Sequence, residues 1–143
     1  MNLWPPFRGA GIRVRSIAAD WSEATVELRA RWLNRNYVGT HFGGSLFAMT
    51  DPFYALLLMH RLGGEYLVWD QGASIEFLAP GRGTVSATFA LSEARVAEIR
   101  AAAAGGEKVL PQFDGEITDR AGMVVARVHK TLYVRLKPRY RPT

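Results

Sequence analysis

The 143 residues contain no cysteine. Disulfides, thiolate catalysis and cysteine zinc sites are therefore excluded. Nor is there an apolar run long enough to span a bilayer, which takes about 20 residues. The longest surrounds Phe53 to Met59 and is preceded by Asp51 and Pro52. The N-terminus, from Met1 to Arg8, lacks a basic stretch followed by an apolar one, so no signal peptide is expected. These absences predict a soluble protein of the cytoplasm, with no membrane partner. Histidine is scarce. His41, His60 and His129 have no metal-ligand spacing with carboxylates, so no metal and no other cofactor is expected. No internal repeat or low-complexity segment occurs. The net charge is +5, but Lys and Arg are scattered and form no nucleic-acid motif. A small polyanionic ligand, such as coenzyme A, needs only a few cations and stays compatible with this charge.

What is present is enough for one core. The length fits a single domain over residues 1–143, and 48% of the residues are hydrophobic against 22% charged. Ala24, Val26 and Leu28 alternate with Glu23, Thr25, Glu27 and Arg29, the period of a half-buried strand. A shorter strand is expected over 12–18. Loop residues fill 31–43. From Ser45 to about Arg61 the chain is apolar nearly all round, which predicts a buried helix, kinked or broken at Pro52. Strands are expected over 66–78, 84–91, 108–118 (disturbed at Pro111) and 123–136. Ser92 caps a short helix over 93–104, and Asp119 to Gly122 form a hairpin turn. The basic tail from Lys137 to Thr143 is expected to fray. This order gives an α+β fold, an antiparallel sheet wrapped around a long central helix.

One segment carries candidate chemistry, Asn36 to Asp51. Gly43 and Gly44 precede a helix and leave backbone N–H groups free at its positive end, where they can polarise a carbonyl or hold an oxyanion. Asp51 follows Gly44 by seven residues, about two helical turns. A carboxylate there can act as a base on water or as a nucleophile. The competing reading makes Asp51-Pro52 a capping pair, with Asp at the N-cap and Pro at the first helical position.

The pattern Asn36-x-x-Gly39, then Gly43-Gly44, then Asp51 resembles the signature of acyl-CoA thioesterases of the phenylacetate-pathway type, in the hotdog superfamily. A wider resemblance, over nearly the whole chain, is to the hotdog family known as domain of unknown function 4442. It is carried by Trp4-Pro5-Pro6-Phe7, Asn36 to Gly44, Asp51-Pro52-Phe53 and His129 to Val134. The resemblance implies a hotdog fold and hydrolysis of an acyl-CoA or other acyl thioester. It implies Asp51, Gly43, Gly44 and Asn36 as catalytic residues, and a homodimer or tetramer. Phe42 stands where the thioesterase pattern has a histidine, and His41 lies one residue earlier, pointing the other way in an extended loop. Pro52 replaces a small residue after the carboxylate.

Four residues are candidates for substrate binding: His41, Phe42, Gln71 and Arg82. His41 either orients a ligand or stabilises its loop. Gln71, with Asp70, either reaches a partner's Asp51 across an interface or is a plain surface residue. Arg82 and the basic cluster Arg135, Lys137, Arg139 and Arg141 either meet coenzyme A phosphates or form a solvated edge. Phe47, Phe53, Tyr54, Trp69 and Phe77 either line an acyl tunnel or fill the core. Two further functions remain open. One is a binding module without catalysis, suggested by Phe42 and Pro52. The other is a hydratase, which lacks the downstream histidine it would need.

Overall fold

The computed structural model describes residues Met1–Thr143. In chain order the elements are α1 (Pro5–Ala10), β1 (Ile12–Ile17), β2 (Glu23–Arg29), α2 (Gly43–Ala48), α3 (Phe53–Leu62), β3 (Tyr66–Phe77), β4 (Thr84–Ala90), α4 (Glu93–Ala103), β5 (Gln112–Asp119) and β6 (Val124–Leu136). All six strands form one sheet in the order β1-β2-β4-β5-β6-β3, and every neighbouring pair is antiparallel. The sheet wraps the α2–α3 segment. This is the hotdog fold, and the α+β expectation holds.

Alternation decides which strand residues face α3. Ala24, Val26 and Leu28 of β2 are buried, as are Val85, Ala87 and Phe89 of β4. On β6 the inner row is Ala126, Val128, Lys130, Leu132, Val134 and Leu136, all buried. α3 sets Phe53, Tyr54, Ala55, Leu57, Leu58 and Leu62 into that face. Phe53 stacks on Phe89 with ring centroids 5.1 Å apart, and Tyr54 stacks on Phe113 at 4.8 Å. Each such large side chain contributes about 2 kcal/mol on burial. The Tyr54 hydroxyl donates to the Asp114 carbonyl at 2.6 Å, so its polar end is satisfied.

The apolar segment is two helices rather than one. The chain breaks between Ala48 and Phe53, where Pro52 cannot donate and α3 restarts. Two features differ from expectation. A short helix, α1, precedes β1 and buries Phe7 at 6.2 Å from the Phe53 ring. The tail is held rather than frayed. Pro138–Tyr140 form a 3-10 turn, and Arg141 Nε donates to the Leu136 carbonyl at 3.0 Å.

β3 lies at the sheet's edge and pairs only with β6. Its register slips between Asp70 and Gly72, so Gln71 is the extra residue of a bulge. The slip exchanges the faces. Tyr66, Val68 and Asp70 point inward before it, and Ala73, Ile75 and Phe77 after it.

Candidate functional site

The loop before α2 is organised by Asn36. Its Oδ1 accepts from the Val38 and Thr40 amides at 3.1 and 3.0 Å. Its Nδ2 donates to Thr40 Oγ1 at 2.8 Å and to the His41 carbonyl at 3.3 Å. Both donor and both acceptor positions are thus used inside the loop, which leaves none for a water. His41 is buried, and its Nε2 sits 2.9 Å from the Gly83 carbonyl. That contact makes Nε2 the protonated nitrogen. Nδ1 is buried without a partner. Burial holds the imidazole below the ordinary histidine value, with Arg35 adding to the effect and the Gly83 carbonyl opposing it. His41 and Gly81 exchange a second tie, His41 N–H to the Gly81 carbonyl at 2.9 Å. The loop is therefore locked to the turn between β3 and β4.

α2 begins directly after Phe42. The Ser45 and Leu46 amides both donate to the Phe42 carbonyl. The Gly43 and Gly44 amides, the first two of the helix, donate to no protein group. Each glycine gives room to an aromatic ring. A Cβ on Gly44 would stand 2.5 Å from the Phe42 ring, and one on Gly43 would stand 2.9 Å from the Phe77 ring. The glycine pair thus permits close approach of two half-exposed phenylalanines.

α2 separates two concavities. One, of about 540 Å³, is lined by Asn36, His41, Gly43, Phe77 and Arg82 among others. The other, of about 350 Å³, is lined by Trp4, Pro6 and Phe7 of the N-terminal segment, by Gly44, Phe47 and Ala48 of α2, and by Asp51. The expected site residues are thus split, with Gly43 on one side and Gly44 and Asp51 on the other.

Asp51 sits in the break between α2 and α3, and its side chain is 63% exposed. It makes no capping bond to α3, whose N-cap is Pro52. The capping reading therefore does not describe this residue. Its partner belongs to β6, in the stretch His129 to Val134. Lys130, on the inner row of β6, is 1% exposed, and its Nζ donates to the Asp51 carbonyl at 2.6 Å. The same ammonium lies 3.5 Å from Asp51 Oδ1 and 3.2 Å from Asp70 Oδ1. Burial pushes the Asp70 carboxyl above its ordinary value; Lys130 pulls it back and the Asp51 charge adds to the rise.

The other candidates fall elsewhere. Gln71 is exposed in the β3 bulge. Asp70 turns inward to Lys130 of its own chain. Trp69 faces the outer side of the sheet, stacked on Tyr133 at 3.9 Å, and lines neither concavity. Phe53 and Tyr54 are core; Phe47 and Phe77 line the two concavities. Arg135 and Arg141 are engaged with backbone carbonyls, and Lys137 donates to Gly64. His60 stacks on Trp21 at 3.5 Å, and His129 pairs with Asp114 on the outer face.

Residues 1–134 match the family described as domain of unknown function (DUF4442). The chain belongs to this family. No curated protein sequence matches the chain. Solved structures share its fold. A protein of unknown function from Pseudomonas aeruginosa, described as a probable thioesterase, superposes with a TM-score of 0.85 at 17% identity, over 95% of this chain and 91% of that one. A thioesterase from Haemophilus influenzae gives 0.68 at 14% identity, over 94% and 85%. The PaaI protein of the phenylacetic acid degradation operon of E. coli gives 0.62 at 18% identity, over 92% and 84%. At these identities the likeness is one of fold. No helix of this DUF4442 protein is long and apolar enough to cross a membrane.

Proposed function

We propose that this DUF4442 protein hydrolyses an acyl thioester, with Asp51 activating water. The observation that carries the reading is one cavity in which an exposed carboxylate, an unused backbone N–H at Gly44 and apolar walls from Trp4, Phe7 and Phe47 meet. A thioester needs those three things: a base, a donor for the carbonyl oxygen and a place for the acyl group. Asp51 takes a proton from water as the oxygen attacks the carbonyl. The carbon–sulfur bond then breaks, and the proton passes to the departing thiolate. Products are a carboxylic acid and a thiol.

The solved neighbours described as thioesterases support the reading by analogy of fold. Arg82, on the rim of the larger concavity, supplies a cation for a carrier such as coenzyme A, with Gly43 and His41 in the same lining. Asn36 contributes by shaping the loop rather than by holding water. A second copy of the chain would cover the open edge of β3 and the exposed Phe77 and Leu78 at its end; light scattering of the purified protein measures this directly.

Thiol release from a panel of acyl-CoA substrates tests the proposal. Turnover is expected, and Asp51→Asn should lower kcat by roughly a hundredfold or more. Full activity in that variant, or no turnover across the panel, overturns it. A second reading, a binding module without catalysis, is favoured by Phe42, whose ring lies against Gly44. Calorimetric binding of acyl-CoA with no thiol release over hours would select it.

A further inference from the structure

We propose that Lys130 is the positioning residue of the Asp51 site, pinning the helix break and coupling Asp51 to Asp70 through the one ammonium they share. The inference rests on the role given to Asp51 above, and it goes beyond that role by adding two residues to the site.

The break itself creates the need for a cation. In an unbroken helix the Asp51 carbonyl would accept from an amide four residues on. Here α3 starts only at Phe53, so that carbonyl needs another donor, and Lys130 Nζ supplies it at 2.6 Å. A fully buried lysine is otherwise costly, and its burial is tolerated when charged partners surround it. The partners come from two elements. Asp51 lies on the α2–α3 connection at 3.5 Å and Asp70 on β3 at 3.2 Å.

Asp70 reaches Lys130 because the bulge at Gln71 keeps residue 70 on the inner face, paired with Leu132, while the lysine itself pairs with Ala73. β5 faces the lysine with Phe113, which carries no charge, and the neighbouring Asp114 pairs outward with His129. From α3, Tyr54 directs its hydroxyl to the Asp114 carbonyl. The two carboxylates and the ammonium are therefore the charged groups that bear on one another.

Two consequences follow with opposite signs at Asp70. Burial raises the Asp70 carboxyl, the Lys130 charge lowers it and the Asp51 charge raises it. Removing the Lys130 charge therefore raises the Asp70 midpoint further, and removing the Asp51 charge lowers it. A purely structural role for Lys130 or Asp51 would not produce shifts of opposite sign at a third residue.

The experiment is a carbon-13 NMR titration of the Asp70 carboxylate in the full chain without substrate, for the native sequence, Asp51→Asn and Lys130→Met. The midpoint should fall in Asp51→Asn and rise in Lys130→Met. Asp51→Asn keeps the ammonium in place and carries the test alone if Lys130→Met does not fold. An Asp70 midpoint that is unmoved, or moves upward, in Asp51→Asn overturns the coupling. Because no substrate is present, this outcome is separate from failure to hydrolyse thioesters.

Discussion

The two concavities on either side of α2 are built by opposite means. On the His41 side a loop closes on itself. Asn36 uses all four of its hydrogen-bonding positions within five residues, and His41 is buried against the β3–β4 turn. On the Asp51 side the polar groups are drawn from far apart in the chain, with Lys130 lying 79 residues from Asp51. The first wall is rigid and internally satisfied. The second holds an exposed carboxylate over a buried cation, with a free amide nearby. A surface that leaves such groups available is the better place for chemistry, whereas a self-satisfied loop is suited to shaping what enters.

Several perturbations would break or sharpen this contrast. The largest effect should come from Asp51→Asn, a fall in kcat of about a hundredfold to a thousandfold with the fold intact, read by steady-state hydrolysis and circular dichroism. An equal loss from Arg82→Ala, on the other side of α2, would erase the distinction between the two walls. Next, Lys130→Met leaves the half-buried Asp70 without its counter-ion and should lower unfolding stability by about 3 kcal/mol in urea titrations. Unchanged stability would mean that the cation does not hold this side together.

Asn36→Ala removes four bonds from the opposite wall. A loss near 2 kcal/mol is expected, confined to the loop, so amide exchange should quicken at Thr40 and His41 while α3 stays protected. Exchange that quickened throughout α3 would show the loop and the core to be one unit. The smallest effect is one of pH. The folded value of His41 lies below the ordinary value of about 6.5 because burial disfavours its charged form. Its contribution to stability is full above that value and is lost as pH falls from there through the folded value. Native-state stability should therefore drop on acidification below neutrality, and His41→Asn should flatten that slope.

Much of the fold was legible. Period-two alternation marked Ala24, Val26 and Leu28 as an inner row, and Pro52 after Asp51 marked the helix break. α1 is less plain, although Pro5-Pro6 at its start and Gly11 in the left-handed region at its end are ordinary helix boundaries, because six residues carry too little periodicity to mark a helix. Lys130 could have been found by the same alternation that read the other strands. It occupies an inner position between Val128 and Leu132, where a lysine demands a partner. Asp70 is harder, because its face depends on a bulge whose one local sign is Gly72, and a lone strand glycine fixes neither the place nor the direction of the slip.

The sequence by itself determined the hydrophobic rows, the break at Pro52 and the glycine pair ahead of α2, since each follows from local sterics or from a side chain's preference for the core. Tertiary structure decided which charges meet. Whether Asp51 caps a helix or faces a cation, and whether Asp70 points to solvent or to Lys130, depends on strand register and on packing between residues that lie as many as 79 apart, and no local preference encodes that distance.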